Sequence, residues 1–312
     1  MLPDRNKILS NPVKDQKISR DTTLGQLIDQ FVESGGFTSS KLGVAYEILN
    51  EMFNEENTTF LSFPADIIST GTRGIINEMV KRKMVDVIIT TCGTLDHDIA
   101  RSFRDYYCGS FDYNDRELKD LGINRLGSVV IPDESYGEIL EEFMQRELKI
   151  LYKESKKWTP WKLIERIGMR MNNENSILYN AAKNHIPVFV PGITDGSFGS
   201  QLWTFKEMNS DFVVDVLQDE HDLSDIIFDA KKTGAFMIGG GISKHHTIWW
   251  NQFRGGLDSA VYVTTAQEYD GSLSGAKLEE AISWKKVRPD AKFVNVYGDI
   301  TALLPIVVGP LL

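Results

Sequence analysis

Cysteine is scarce in this sequence, with two residues, Cys92 and Cys108, among 312. They form no CxxC pair and no zinc-ligand spacing, which excludes a disulfide framework and a zinc ribbon and leaves buried thiols in a reducing compartment. Long apolar runs are also missing. The longest, Val85 to Ile89 and Leu303 to Val308, fall far short of the roughly 18–20 residues that cross a bilayer. Positive charge is in deficit, since 34 Lys and Arg stand against 44 Asp and Glu to give −10. No basic stripe is offered to nucleic acid. The polar stretch 1–20 has no apolar segment of the signal-peptide kind. The expectation is a cytoplasmic chain with neither a membrane nor a nucleic-acid partner.

Familiar ligand fingerprints are missing as well. There is no GxGxxG and no HExxH, and Gly271 to Lys277 misses the P-loop spacing. No metal site is expected.

What is present is a globular composition, 42% hydrophobic and 25% charged. Short β-rich runs recur at 58–65, 85–93, 125–132, 186–196, 211–216, 234–241, 259–266 and 292–299. Several are continuous in Val, Ile and Phe, as suits strands covered on both faces. Helical spacing occupies about 67–83, 135–155, 160–172, 175–184 and 222–232. Strands alternating with helices predict an α/β fold, a single Rossmann-like domain with a mostly parallel sheet flanked by helices. No Pro/Ser/Gly-rich linker or repeat divides the chain, so 1–312 reads as one domain. The charged segment 150–175 reads as a surface helix pair within it.

Ligands of open parallel sheets bind beyond the carboxyl ends of the strands. Small and acidic residues collect there: Thr91-Cys92-Gly93, Asp195-Gly196, Gly239-Gly240-Gly241, Thr265 and Gly298-Asp299. Glycine lets backbone N–H groups approach phosphates, and Asp accepts ribose hydroxyls. The same residues also make plain strand-to-helix turns. Five such ends in one chain favour a nucleotide site. Asp96-His97-Asp98 carries two readings, a metal-ligand cluster or the start of a capped helix. His245 and His246 point about 100° apart if helical, so they are poor ligands for one ion. In Glu280 to Lys286, EAISWKK, a lysine lies beside a tryptophan. Desolvation lowers an amine's pKa, and a neutral amine can form a Schiff base. A solvated lysine pair is the competing reading.

Six segments in order resemble the deoxyhypusine synthases: TTCGTLDHD (90–98), INRLGSVVIP (123–132), HIPVFVPGITDGSFG (185–199), GGGISKHH (239–246), AVYVTTAQEYDGSLSGA (260–276) and EAISWKK. They span about residues 36–308, and the pattern is most like archaeal members. The resemblance implies a homotetramer of NAD-dependent transferases with active sites between paired subunits. In that family, spermidine gives hydride to NAD and releases 1,3-diaminopropane. Its aminobutyl group then passes through an enzyme-lysine imine to one lysine of the translation initiation factor 5A precursor, where NADH reduces the last imine.

Carried over by motif, Lys286 aligns with the imine-forming lysine and His245 with the group facing the reacting amine. Lys285 falls where relatives often have a small residue. Trp284, Glu280, Tyr262, Asp96 and Gly271 are implied to bind the polyamine. Asp66, Ser69, Thr91, Cys92, Gly93, Asp195, Gly240, Thr265, Asp270 and Asp299 are implied to hold NAD. Departures occur at Ser200 and Leu273, acidic in eukaryotic-type members, at Asp96-His97 in place of a Glu-Glu pair, and at Ala65-Asp66 in place of Ser-Asn. They motivate two alternatives: a homospermidine synthase with putrescine as acceptor, and a non-catalytic subunit that binds NAD and polyamine.

Overall fold

The computed structural model describes Arg5 and residues 9–312. Most of the first eight residues of the polar stretch 1–20 therefore lie outside the described residues. Six of the apolar runs pair into one sheet. Its strands are β1 (Thr58–Phe63), β2 (Val87–Thr90), β3 (Val188–Phe189), β4 (Thr233–Ile238), β5 (Leu257–Thr264) and β6 (Val287–Tyr297). They stand in the order β3-β2-β1-β4-β5-β6, with every neighbouring pair parallel. This is the doubly wound order, in which β1 and β4 flank the point where the direction of winding reverses. The expected α/β fold, a mostly parallel sheet flanked by helices, is the one the chain adopts.

The continuity of the apolar runs follows from cover on both faces. Phe60 of β1 packs with Val87, Ile89 and Met237 on one face. Leu61 and Phe63 pack with Ile88, Phe236 and Ile238 on the other. Successive strand residues point to opposite faces, so a strand covered twice has to be apolar throughout. Each such side chain contributes roughly 1.5–3 kcal/mol on burial.

The helices that position the site are α1 (Thr38–Asn54), α2 (Cys92–Phe103), α3 (Gly137–Glu154), α4 (Ser197–Met208), α5 (Gly241–Asn251), α6 (Leu278–Ser283) and α7 (Ile300–Val308). The helices expected at 135–155, 160–172 and 175–184 occur as α3, Pro160–Met171 and Ile177–Asn184. The one expected at 67–83 is broken into a 3₁₀ turn, Ala65–Ser69, and a helix, Arg73–Lys81. Thr70 and Thr72 both donate their hydroxyls to the Ile67 carbonyl, and such local bonds compete with the helical ladder. The one expected at 222–232 starts earlier, at Val216. There Asp215 accepts the Gln218 amide and caps the helix.

Two runs do not join the main sheet. Residues 123–132 form an antiparallel hairpin, Ile123–Leu126 with Val129–Pro132, extended by Tyr107–Cys108. Gly127 turns it at φ +62°, a conformation glycine adopts without penalty. The run 211–216 yields only Val213–Val214, paired with Lys157–Trp158. Among the described residues, no helix is long and apolar enough to cross a membrane.

Candidate active site

Lys286 owes its place to the way α6 ends. The Lys285 amide donates to the Ile282 carbonyl at 2.9 Å, and the Lys286 amide donates to the Ala281 carbonyl at 3.0 Å. Lys285 itself is left-handed, with φ +58°. This pair of bonds around one left-handed residue is the Schellman closure. It reverses the chain sharply. Trp284 stays 66% exposed while Lys286 turns inward to 7%, directly before β6. Glycine is the residue this backbone conformation favours at position 285.

A cavity of about 330 Å³ lies between α5 and α6. Lys286, His245, Trp249, Glu280 and Trp284 line it together with Leu273. The Lys286 Nζ sits 5.3 Å from the Trp249 ring centroid and 5.5 Å from that of Trp284. His245 lies against the same Trp249 ring, with centroids 5.5 Å apart and planes 30° apart. Burial, then the charge of Lys286, then His246 push His245 below the usual histidine value. A histidine so shifted is neutral at pH 7 and can accept a proton. Glu280 is the one carboxylate among the described residues that line this cavity.

A second lysine, not singled out from the sequence, lines the same cavity. Lys244 is buried, and its Nζ donates to the carbonyls of Leu273, at 3.0 Å, and Ala276, at 2.6 Å. The Nζ lies 3.6 Å from the centroid of Tyr262. Burial pushes this lysine down to about 7, against the opposing pull of Glu280. Its signal in the sequence is positional: it stands one turn before Ile248, on the buried face of α5. Tyr262 is buried beneath the segment that follows β5 and donates its hydroxyl to the Ser274 carbonyl at 2.5 Å.

The other sequence candidates gather at the carboxyl edge of the sheet. A Cβ added to Gly239 would stand 3.2 Å from Pro64, and one added to Gly93 would stand 2.8 Å from Ala65. Thr91 accepts the Ala65 amide at 3.0 Å. The ends of β1, β2 and β4 thus close on one another at the winding reversal. Gly240 packs against Ser274, where an added Cβ would come within 2.3 Å of Cα. Nearby, a larger cavity of about 770 Å³ is lined by Asp66, Ser69, Arg101 and Asp299. Asp66 and Asp299 are exposed. Ser69 donates to the Asp66 carbonyl at 2.6 Å, and Asp299 accepts the Thr301 amide at 3.0 Å to cap α7. Two carboxylates in a cavity of this size suit vicinal hydroxyls. The glycine-led start of α5 suits a phosphate.

Several candidates have other work. Asp96 is buried, and it accepts the Ser197 and Phe198 amides at 3.0 and 2.7 Å and the Tyr136 hydroxyl at 2.9 Å. It fixes the start of α4 and does not line the cavity of Lys286. Burial raises its pKa. The Cys92 thiol donates to the Ile193 carbonyl at 3.1 Å. Burial and then Asp96 push it up to about 12, so it remains a thiol. Asp195, Thr265, Asp270 and Gly271 are exposed on the loops beyond β3 and β5. Asp270 accepts both the amide and the hydroxyl of Ser272 at 2.9 Å. Ser200 is exposed and donates to the Gly196 carbonyl at 3.1 Å, whereas Leu273 is part of the lysine cavity.

The deoxyhypusine synthase family model matches residues 26–311. A probable deoxyhypusine synthase of Thermoplasma acidophilum is 71% identical, covering 99% of this chain and all of that protein. One of Picrophilus torridus is 70% identical, covering 99% of each. The crystal structure of a candidate deoxyhypusine synthase from Entamoeba histolytica superposes with a TM-score of 0.66 at 24% identity, covering 95% of each chain. That likeness speaks for the fold. The chain belongs to the deoxyhypusine synthase family of enzymes.

Proposed function

We propose that the chain transfers the aminobutyl group of spermidine, through an imine on Lys286, to a lysine of the translation initiation factor 5A precursor, using NAD. One observation carries this reading: Lys286 is held between two indoles with a histidine of lowered pKa on one of them. A carbon can lose hydride only when its nitrogen offers a free electron pair. The reacting amine therefore has to shed its proton first, and His245 is the group that takes it.

Lys286 then adds through Nζ to the imine carbon, and 1,3-diaminopropane leaves with a proton. The four-carbon unit stays on Lys286 as an imine until the factor lysine displaces it in the same manner. Trp249 and Trp284 bind the polyamine through their faces and exclude the water that would hydrolyse the imine. Glu280 holds a terminal ammonium by a charge-assisted bond.

NAD supplies the hydride acceptor, and later the donor. Asp66 and Asp299 suit its ribose hydroxyls and the start of α5 its phosphates, with Asp195, Thr265 and Asp270 at the same edge. Assembly as a homotetramer with paired active sites is part of the proposal. The exposed faces of Trp284 and Trp249, 66% and 41%, support a subunit neighbour over the cavity mouth. The test is incubation with labelled spermidine, NAD and the cognate factor. Label should appear on the factor with the wild-type protein and be absent with Lys286→Arg. Homospermidine as the dominant product, with the factor unlabelled, would replace this reading by the putrescine one.

A further inference from the structure

Lys244 is a buried lysine that the chemistry above does not use. Among the described residues, no carboxylate bonds to it. Its hydrogen-bond acceptors are two backbone carbonyls, those of Leu273 and Ala276, three residues apart on the segment after β5. Its third contact is the face of Tyr262, 3.6 Å away. Tyr262 bonds in turn to the carbonyl of Ser274, between those two positions. The Thr264 hydroxyl donates to that same carbonyl at 3.3 Å, and the Gly241 amide donates to the Ser274 hydroxyl at 3.0 Å.

The segment has few means of holding itself. Residues 271–277 form neither helix nor strand, and the internal ties of its backbone are two turn bonds, Gly275 to Ser272 and Ala276 to Leu273. Carbonyls without ladder partners need donors from elsewhere. A lysine carries three donors and no acceptor, so one Nζ can serve two carbonyls and still present a face to an aromatic ring. Leu273 and Ala276, the two residues it ties down, belong to the wall of the cavity that holds Lys286.

We propose that Lys244 is a positioning residue: its amino group clamps the 273–276 segment onto Tyr262 and so shapes the wall over Lys286. It does not form an imine, because its Nζ is enclosed by the two carbonyls and the Tyr262 ring. The structural half of this proposal stands apart from the proposed reaction. The effect on Lys286 rests on that reaction.

Hydrogen exchange on the ligand-free, full-length protein tests the clamp without any substrate. In Lys244→Met, amides 272–277 should exchange at least tenfold faster than in wild type, with β4 and β5 unchanged. Lys244→Ala should behave likewise, and added ethylamine, but not propane-sized alcohols, should restore protection. Unchanged exchange at 272–277 in a folded Met variant would overturn the clamp. So would rescue by the alcohol as well as the amine, since that would make the role one of packing alone. A borohydride trap with spermidine and NAD then reads the second half. The Met variant should form the Lys286 adduct at least tenfold more slowly. Rapid exchange with wild-type adduct formation would overturn the link to Lys286. A wild-type protein that forms no adduct would instead overturn the proposed function and leave the exchange result standing.

Discussion

Lys286 and His245 meet on one indole. Trp249 stands 5.3 Å from the Lys286 Nζ and 5.5 Å from the His245 ring, measured to its centroid. The proposed nucleophile comes from the end of α6 and the proposed base from α5, and both lie against the same tryptophan. The charge of Lys286 in turn helps to hold His245 unprotonated.

In the proposed mechanism His245 sets the acid side of the activity. Its pKa lies below the usual 6.5, chiefly through burial. NADH formation on mixing with spermidine should keep its level through the pH range in which an ordinary imidazole protonates and decline only at lower pH. His245→Gln should slow that step about 100-fold or more, the ordinary worth of a positioned base, with little change in melting temperature. A Gln variant at wild-type speed would remove the histidine from the mechanism.

Lys285 is strained for a reason unconnected with chemistry. It is exposed and left-handed at φ +58°. Lys285→Gly should stabilise the fold by about 0.5–1 kcal/mol, since glycine escapes the left-handed penalty but gains entropy when unfolded. Lys285→Ala should show no such gain. Denaturant melts of the three proteins decide this, and adduct formation at Lys286 should be equal in all of them.

Asp219 makes stability depend on pH in a direction opposite to most carboxylates. It is buried against the start of the Pro160–Met171 helix and accepts the Trp161 amide at 3.1 Å. Burial, with Asp222 and Glu220 adding, raises it from 3.8 to about 7. Between those values the folded state binds a proton that the unfolded state does not. The stabilisation is full below about pH 4 and is lost as pH rises to 7. Asparagine keeps the acceptor and removes the charge. Asp219→Asn should match wild type near pH 4 and exceed it near pH 8, by at most about 4 kcal/mol at 1.36 kcal/mol per pKa unit. A difference that does not vary with pH would contradict this assignment.

Much of the fold was legible because double burial leaves a local mark: β1, β2, β4 and β5 read as unbroken apolar runs. That Lys286 and His245 belong together was legible through the order of the motifs, and they share one cavity. Other features arise only in three dimensions. Asp96 reads as a site carboxylate in TTCGTLDHD, yet it serves as the cap of α4, about a hundred positions later in the chain. Lys285 carries no sequence mark of a left-handed residue, because glycine is the usual signal. The hairpin at 123–132 reads as one strand over 125–132 because Gly127, its turn, sits inside the apolar run. Lys244 was hidden by the two histidines after it, and its burial becomes visible only when the segment after β5 folds over it.

The most direct test of the central claim is borohydride trapping of the protein with labelled spermidine and NAD, followed by peptide mapping. The account predicts one aminobutyl adduct, on Lys286, dependent on NAD and absent from Lys286→Arg. An adduct on Lys244 or Lys285, or none on Lys286 in a protein that labels its factor, would contradict it.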